Sequence, residues 1–126
     1  MVKEGLFYTK DHEWARCEGD IAVVGITDYA QGEMGDIVFI ELCEIGTSVE
    51  QGKLLCTIEA VKAVSDVFAP VSGEVVEVNS ELGSAPETIN HDPYGAGWIA
   101  KIKMSNPDET KNLLSAAEYK QLIGEE

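Results

Sequence analysis

The chain has 126 residues, 44% of them hydrophobic, and carries 23 acidic against 9 basic residues. This length suits one domain that folds without disulfides or metals, and we expect residues 1–126 to form one domain with its core over about 8–104. The net charge of −14 argues against nucleic acid and membranes as partners, because both bind Lys and Arg, and it favours basic patches on protein partners.

Short β-like runs dominate the first two-thirds of the chain. Their regular spacing and Gly-containing turns predict a sandwich or barrel. The fold class we expect is mainly β, with two antiparallel sheets, short helices and a C-terminal helical segment over about 106–123. The run "DIVFIEL" has apolar residues on both faces, which predicts burial on both sides. The runs are EWARC, IAVVGI, DIVFIEL, KLLCTIE, SGEVVEV and GWIAKIKM.

Helix signals are few in the body of the chain and clearer at its end. "TDYAQG" predicts a short helix with Thr27 as N-cap and Gly32 past its end, and "APETIN" predicts another that opens at Pro86. Asn106 and Pro107 begin the C-terminal segment. An S-x-x-E capping box follows at 115–118. The residues expected to face the sheet there are Leu113, Leu114, Ala117 and Leu122.

The stretch "IEAVKAVSDVF" (58–68) contains a single lysine, Lys62, and its local structure and role have to be inferred from the residues around it. A hairpin of 54–60 and 63–69 that reverses at Val61–Lys62 explains the pattern best, because Leu54, Cys56, Ile58, Val67 and Ala69 then share one face. A single strand would put Lys62 on the same face as Ile58, and a helix is disfavoured by the β-branched content and Pro70. The turn lacks the Asn-Gly or Asp-Gly usual in tight hairpins, so Lys62 is either an ordinary solvated lysine or a functional one.

The remaining reactive residues give no site of their own. Cys17, Cys43 and Cys56 lie in apolar runs, so we expect buried, reduced thiols. His12 and His91 have no further ligands at metal-binding spacing, and no metal is expected. The N-terminus has no apolar leader and no run could span a bilayer. We therefore expect a cytoplasmic protein, or a mitochondrial matrix form whose transit peptide has been removed.

"IEAVKAVSDVFAPVSGEV" resembles the biotinyl/lipoyl attachment motif, and the wider chain resembles the H-protein family of the glycine cleavage system. The similarity runs from about Tyr8 to Tyr119. It implies a lipoyl-domain-like barrel-sandwich hybrid in which Lys62 carries lipoate, and the absence of methionines beside Lys62 favours lipoate over biotin. The matching motifs are YTKDHEW, VGITDYAQ, MGDIVFIEL, SDVFAPVSGEVVEVN, NHDPYGAGWIAKIK and SNPDE.

The resemblance also implies a function and a set of partners. The chain would be a carrier without an active site of its own. It would take an aminomethyl group from a PLP-dependent glycine decarboxylase to a folate-dependent aminomethyltransferase and be reoxidised by dihydrolipoamide dehydrogenase. A lipoate ligase or octanoyltransferase would modify it, and shuttling favours a monomer. Two alternatives stay open: a lipoate or octanoate relay protein for other enzymes, and a non-acylated scaffold.

By position, the family's cleft for the loaded arm corresponds to Glu13 and Asp66. Burial in the cleft would shield the arm's cargo from water, and an acid there would be the partner of its amine. The alternative interpretation is that both residues are ordinary solvated acids. Asp11 stands where many relatives have Ser, Ala60 stands where Ser is common, and Val64 replaces a usual small residue.

Overall fold

The computed structural model describes residues 2–124 of the chain. Within this range nine strands form two antiparallel sheets, which confirms the predicted mainly β fold. The larger sheet has the order β1-β2-β3-β9-β8-β5 and the smaller has the order β4-β6-β7. The strands are β1 (Phe7–Tyr8), β2 (Glu13–Glu18), β3 (Ile21–Ile26), β4 (Ile37–Glu41), β5 (Ser48–Val49), β6 (Leu54–Ala60), β7 (Val64–Phe68), β8 (Gly73–Val78) and β9 (Ala100–Met104).

Short helices connect and cover the sheets. The N-cap at Thr27 is confirmed, since its hydroxyl accepts the N–H of Ala30. That helix passes Gly32 and ends at Gly35, where φ is 77°, so the predicted end at Gly32 was wrong. The helices are α1 (Asp28–Met34), α2 (Thr88–His91) and α3 (Ala116–Ile123), with 3₁₀ turns over Ser80–Gly83 and Pro107–Asn112.

The main hydrophobic core contains side chains from both sheets. Ile58 of β6, Ile102 of β9 and Val75 of β8 are fully buried in it. The prediction that "DIVFIEL" is buried on both faces was wrong, because Phe39 is 50% exposed. A register shift between Ile37 and Phe39 alters the alternation along β4, and the outer face of the small sheet lies at the surface.

A second hydrophobic cluster lies under α3. Tyr119 stacks on Tyr8, with ring centroids 4.6 Å apart and planes 5° apart, and Trp14 is buried beside them. The capping box of Ser115 and Glu118 is confirmed. It starts the helix at Ala116, and the buried residues of α3 are Ala116 and Tyr119. Ala117 and Leu122 are exposed, so the predicted inward face of this helix was wrong for those two residues.

The predicted opening of α2 at Pro86 was also two residues early, since the helix begins at Thr88.

Candidate functional site

The predicted hairpin around Lys62 is present. Strands β6 and β7 pair antiparallel, with Glu59 opposite Val64 and Cys56 opposite Val67. The N–H of Ala60 donates to the carbonyl of Ala63 at 2.8 Å, which closes the loop around Lys62. Four of the five residues predicted to share the inward face of the hairpin are buried, which confirms the prediction for them. They are Cys56, Ile58, Val67 and Ala69. Leu54 is exposed because the register shifts between Leu54 and Cys56.

The hairpin tip rests against the turn between α1 and β4. The N–H of Val61 donates to the carbonyl of Asp36 at 2.9 Å, and the N–H of Lys62 donates to the carbonyl of Met34 at 3.2 Å. A Cβ placed on Gly35 would lie 3.3 Å from Cγ and Cδ of Lys62. The lysine stem therefore passes closely over a glycine.

The amine of Lys62 is accessible. Lys62 is exposed, and its neighbours Val61 and Val64 are 72% and 66% exposed. None of the salt bridges among residues 2–124 involves Lys62. The lysine can therefore accept an acyl group without breaking an ion pair, and no other amine or nucleophile lies within two residues of it in the chain. These features leave the amine of Lys62 open to an acylating enzyme.

Glu13 is the first residue of β2 and is only 2% exposed. One carboxyl oxygen accepts the hydroxyl of Thr9 at 2.5 Å, and the other accepts the N–H of Phe68 at 3.2 Å. Burial raises the pKa of Glu13 to about 7, while the bonds from Thr9 and Phe68 act in the opposite direction. A carboxyl that titrates near neutrality in this position can exchange a proton with an amine brought beside it.

Glu13 lies in the wall of a cavity of about 310 Å³. Thr9 and Glu13 contribute polar groups to its lining, as do Lys10, Asp11, Gln51 and Asn112, and apolar side chains complete it. The N–H of Phe68 faces Glu13, so the cavity lies at the end of β7. From Val64, where β7 begins, Phe68 is about 13 Å along the strand at ~3.3 Å per residue. The apolar lining residues include Phe68, Ala69, Pro70, Leu113 and Leu114.

Asp66 does not line the cavity of Glu13. It is exposed and accepts the hydroxyl of Thr57 at 3.3 Å across the β6–β7 pair. Asp66 is about 7 Å along β7 from Val64. The two predicted acids therefore lie along the same strand, one exposed between the tip and the cavity and the other buried in the cavity wall.

The loop before Glu13 is fastened on two sides. His12 has a φ of 72°, an unusual value for a residue other than glycine, and its Nδ1 hydrogen-bonds the Tyr119 hydroxyl at 2.8 Å. The same hydroxyl bonds Thr27 at 2.7 Å. Burial lowers the pKa of His12, against the effect of nearby Asp11 and Glu33, which favours the neutral ring. His12 thus fixes the backbone from which Glu13 projects.

The remaining features add no second reactive centre among residues 2–124. The three cysteines are free thiols; Cys56 is buried, as predicted, whereas Cys17 and Cys43 are half-buried. Burial raises the pKa of all three. In the described part of the chain no group of three or more His, Cys, Asp or Glu side chains is placed to hold a metal. No helix between residues 2 and 124 is long and apolar enough to cross a bilayer.

Comparison with known proteins decides the family. The family model described as "Glycine cleavage H-protein" matches residues 6–126. The chain belongs to this family. A probable glycine cleavage system H protein from Pyrococcus abyssi is 59% identical over 124 residues, covering 97% of this chain and 92% of the relative. The glycine cleavage system H protein from Rubrobacter xylanophilus is 54% identical over 125 residues, covering 99% of this chain and 97% of the relative.

A solved structure shows the same fold. The crystal structure of a glycine cleavage system H protein from Mycobacterium marinum superposes with a TM-score of 0.88 at 39% identity, covering 98% of this chain and 99% of that chain. This confirms the predicted two-sheet fold. Membership of the glycine cleavage H-protein family gives the chain the role of lipoyl carrier in glycine cleavage, a carrier component that is not itself an enzyme.

Sequence reasoning did not single out two residues that shape this site. Thr9 binds Glu13, and Asn90 binds the turn beneath Lys62. Thr9 has the local signal of a hydroxyl four residues before an acid, but that spacing is common. Asn90 is 28 residues from Lys62 in the chain, and no local pattern predicts contacts at that separation.

Proposed function

We propose that Lys62 is the attachment point of lipoate, held as an amide on its Nζ. The amide bond forms between Nζ and the lipoyl carbonyl as the activating group leaves that carbonyl and the amine loses a proton. The observation that carries the proposal is an exposed lysine that forms no ion pair with any residue between 2 and 124, at a hairpin tip whose backbone is bound to a second loop. When bound, the lipoyl group supplies the disulfide and thiol chemistry that accepts and releases an aminomethyl group.

Glu13 is proposed to receive the amine of the loaded arm. The edge of β7 leads from the hairpin tip toward Phe68, whose N–H faces Glu13. A cationic amine beside the carboxyl would favour the ionised acid, and the resulting charge-assisted contact would be strong in a buried setting. The apolar residues Leu113, Leu114 and Pro70 would keep water from the cargo.

Asp66 is proposed to play a lesser part. Its exposed position gives it a solvent-screened interaction with a passing amine, which is worth little in free energy. Its place between the tip and Phe68 suits transient contact as the arm moves to and from the cavity.

The partners are proposed to be those of a four-component cycle. A PLP-dependent glycine decarboxylase would load the arm, a folate-dependent aminomethyltransferase would unload it, and dihydrolipoamide dehydrogenase would restore the disulfide. A lipoate ligase or octanoyltransferase would acylate Lys62. The net charge of −14 supports attraction to basic surfaces on such enzymes. We further propose that residues 1–126 act as a single lipoyl-binding domain, as a cytoplasmic monomer.

Replacement of the lysine tests the attachment site. Lys62→Arg keeps the charge and length but removes the acylable amine, so glycine–bicarbonate exchange reconstituted with glycine decarboxylase and lipoate ligase should be lost. Lys53→Arg, at another exposed lysine of the chain, is the matched control and should retain the exchange. Exchange that survives in Lys62→Arg would overturn the proposed attachment site.

A further inference from the structure

The tip of the β6–β7 hairpin lacks the residues that tight turns favour. Its loop consists of Val61, Lys62 and Ala63, and none of them has a positive φ. Hairpin turns normally use Asn, Asp or Gly at such positions. Within the hairpin, Ala60 donates to Ala63. The remaining bonds of this loop go to residues outside the hairpin.

The turn at 34–36 provides that outside support. Met34 and Asp36 accept the N–H groups of Lys62 and Val61 at 3.2 and 2.9 Å. Gly35 stands between the two acceptors, with a φ of 77° that glycine adopts readily. The tip is therefore shaped by a second loop, and its own sequence needs no turn-forming residue.

Asn90 fastens the turn at 34–36 from the other side. Its Nδ2 donates to the carbonyl of Gly35 at 3.0 Å and to Oε1 of Gln31 at 2.9 Å. Its Oδ1 accepts the N–H of Ile37 at 2.9 Å. One amide thus bonds both neighbours of Asp36. Asn90 is a residue of α2, and the full burial of the adjacent Ile89 anchors this helix in the core.

We propose that Asn90 is a positioning residue for the acylation of Lys62. Its hydrogen bonds hold the turn at 34–36, and this turn holds the backbone of the hairpin tip. The tip therefore presents the Lys62 amine to the acylating enzyme in a single backbone conformation. Such preorganisation lowers the entropic cost of docking the tip. The role in acylation rests on the proposed attachment of lipoate to Lys62, whereas the effect of Asn90 on the conformation of the tip does not.

The test uses Asn90→Asp in the full chain. The aspartate keeps the shape and the acceptor for Ile37 but lacks the donors to Gly35 and Gln31. The matched control is Asn79→Asp, because Asn79 Nδ2 also donates to two carbonyls, those of Ala96 and Trp98 at 2.8 Å each. The unfolding midpoint of each variant is measured as the index of general stability. Two quantities then report on the tip: native-state exchange of the Val61 and Lys62 amide protons, and the kinetics (kcat and KM) of lipoylation by a purified lipoate ligase.

In Asn90→Asp we expect the Val61 and Lys62 amides to exchange about tenfold faster, as loss of about one hydrogen bond's net free energy implies. We expect kcat/KM for lipoylation to fall about fivefold or more, mainly through KM, since the enzyme must then order the tip. Asn79→Asp should lower the unfolding midpoint and leave both tip quantities unchanged.

Wild-type exchange at Val61 and Lys62 in Asn90→Asp would overturn the inference. Equal losses of lipoylation in Asn79→Asp would also overturn it, because the effect would then follow general stability. A wild-type chain that accepts no lipoyl group would overturn the proposed function itself, and the exchange comparison distinguishes that failure from a failure of the Asn90 contact.

Discussion

The carboxyl of Glu13 accepts the backbone N–H of Phe68 at 3.2 Å, although 55 residues separate them in the chain. This bond ties the start of β2 in the large sheet to the end of β7 in the small one. Since β7 begins two residues after Lys62, the bond connects the strand that follows the proposed attachment site to Glu13, the only buried acid among residues 2–124 that line the cavity. Because of this contact, we expect replacement of Glu13 to change the hydrolysis rate of the loaded aminomethyl arm more than replacement of Asp66 does.

Glu13→Gln should shorten the lifetime of the loaded aminomethyl arm. The amide keeps the shape of the side chain but cannot form a charge-assisted bond with the amine, so hydrolysis should rise about tenfold or more. Release of formaldehyde and ammonia from the loaded protein measures the rate. Asp66→Asn is the comparison on the same strand and should change the rate by less than about threefold, because an exposed pair is screened by solvent. Equal rates in wild type and Glu13→Gln would leave Glu13 without a role in protecting the cargo.

The contribution of Glu13 to the stability of the apoprotein should fall as pH rises through the range in which this carboxyl titrates. The pKa of Glu13 is raised from 4.5 to about 7 in the folded state by burial. The native state therefore keeps a proton that the unfolded chain has released, and the part of the unfolding free energy that Glu13 contributes decreases between those values. At roughly 1.4 kcal/mol per pKa unit, the difference between the folded and unfolded pKa of Glu13 corresponds to a loss on the order of 3 kcal/mol of unfolding free energy.

Urea unfolding at several pH values measures this trend, and Glu13→Gln isolates it from the other titrating groups. The difference in unfolding free energy between wild type and Glu13→Gln should change across pH 4.5 to 7 and be flat below it. A difference that stays constant over the whole range would contradict the raised pKa.

Removal of the Thr9 hydroxyl should raise the pKa of Glu13 further. The hydroxyl donates to the carboxyl at 2.5 Å and stabilises its ionised form. Thr9→Val should move the carboxyl titration, followed by carbon-13 NMR, above about 7, whereas Thr9→Ser retains the donor and should keep the wild-type value. An unchanged titration in Thr9→Val would show that the bond does not govern the acidity of Glu13.

Two glycines should respond to alanine in opposite directions. A Cβ on Gly25 would lie 2.7 Å from the ring of fully buried Trp14, so Gly25→Ala should cost about 1–3 kcal/mol. Gly32, inside α1, has nothing within 4 Å of its Cβ position, and Gly32→Ala should stabilise the chain by roughly 0.5–1 kcal/mol. Thermal unfolding of the two variants measures both. A stable Gly25→Ala would mean that Trp14 repacks freely.

The sequence predicted local features well where one residue type decides them. Thr27, Ser115 and Glu118 cap helices as expected, because a side-chain oxygen at an N-cap satisfies orphan N–H groups whatever lies around it. The hairpin around Lys62 followed from the alternation of buried residues. The carrier role followed from the resemblance of several motifs in order.

Other predictions failed where long-range packing decides the outcome. Register shifts at Phe39 and Leu54 put apolar side chains on the surface against the simple alternation. Tyr119 faces inward because it stacks on Tyr8, more than a hundred residues away. The burial of Glu13 depends on Phe68 and Thr9 closing over it, and no local pattern distinguishes it from the solvated Asp66.

The account depends most on acylation of Lys62, and the mass of the peptide that contains it tests this directly. The chain is produced with lipoate and a lipoate ligase, digested, and measured by tandem mass spectrometry. We expect one lipoyl increment, located on Lys62, in the wild-type chain and none in Lys62→Arg. A lipoyl group on another lysine, a biotinyl increment, or an unmodified Lys62 peptide would contradict the account.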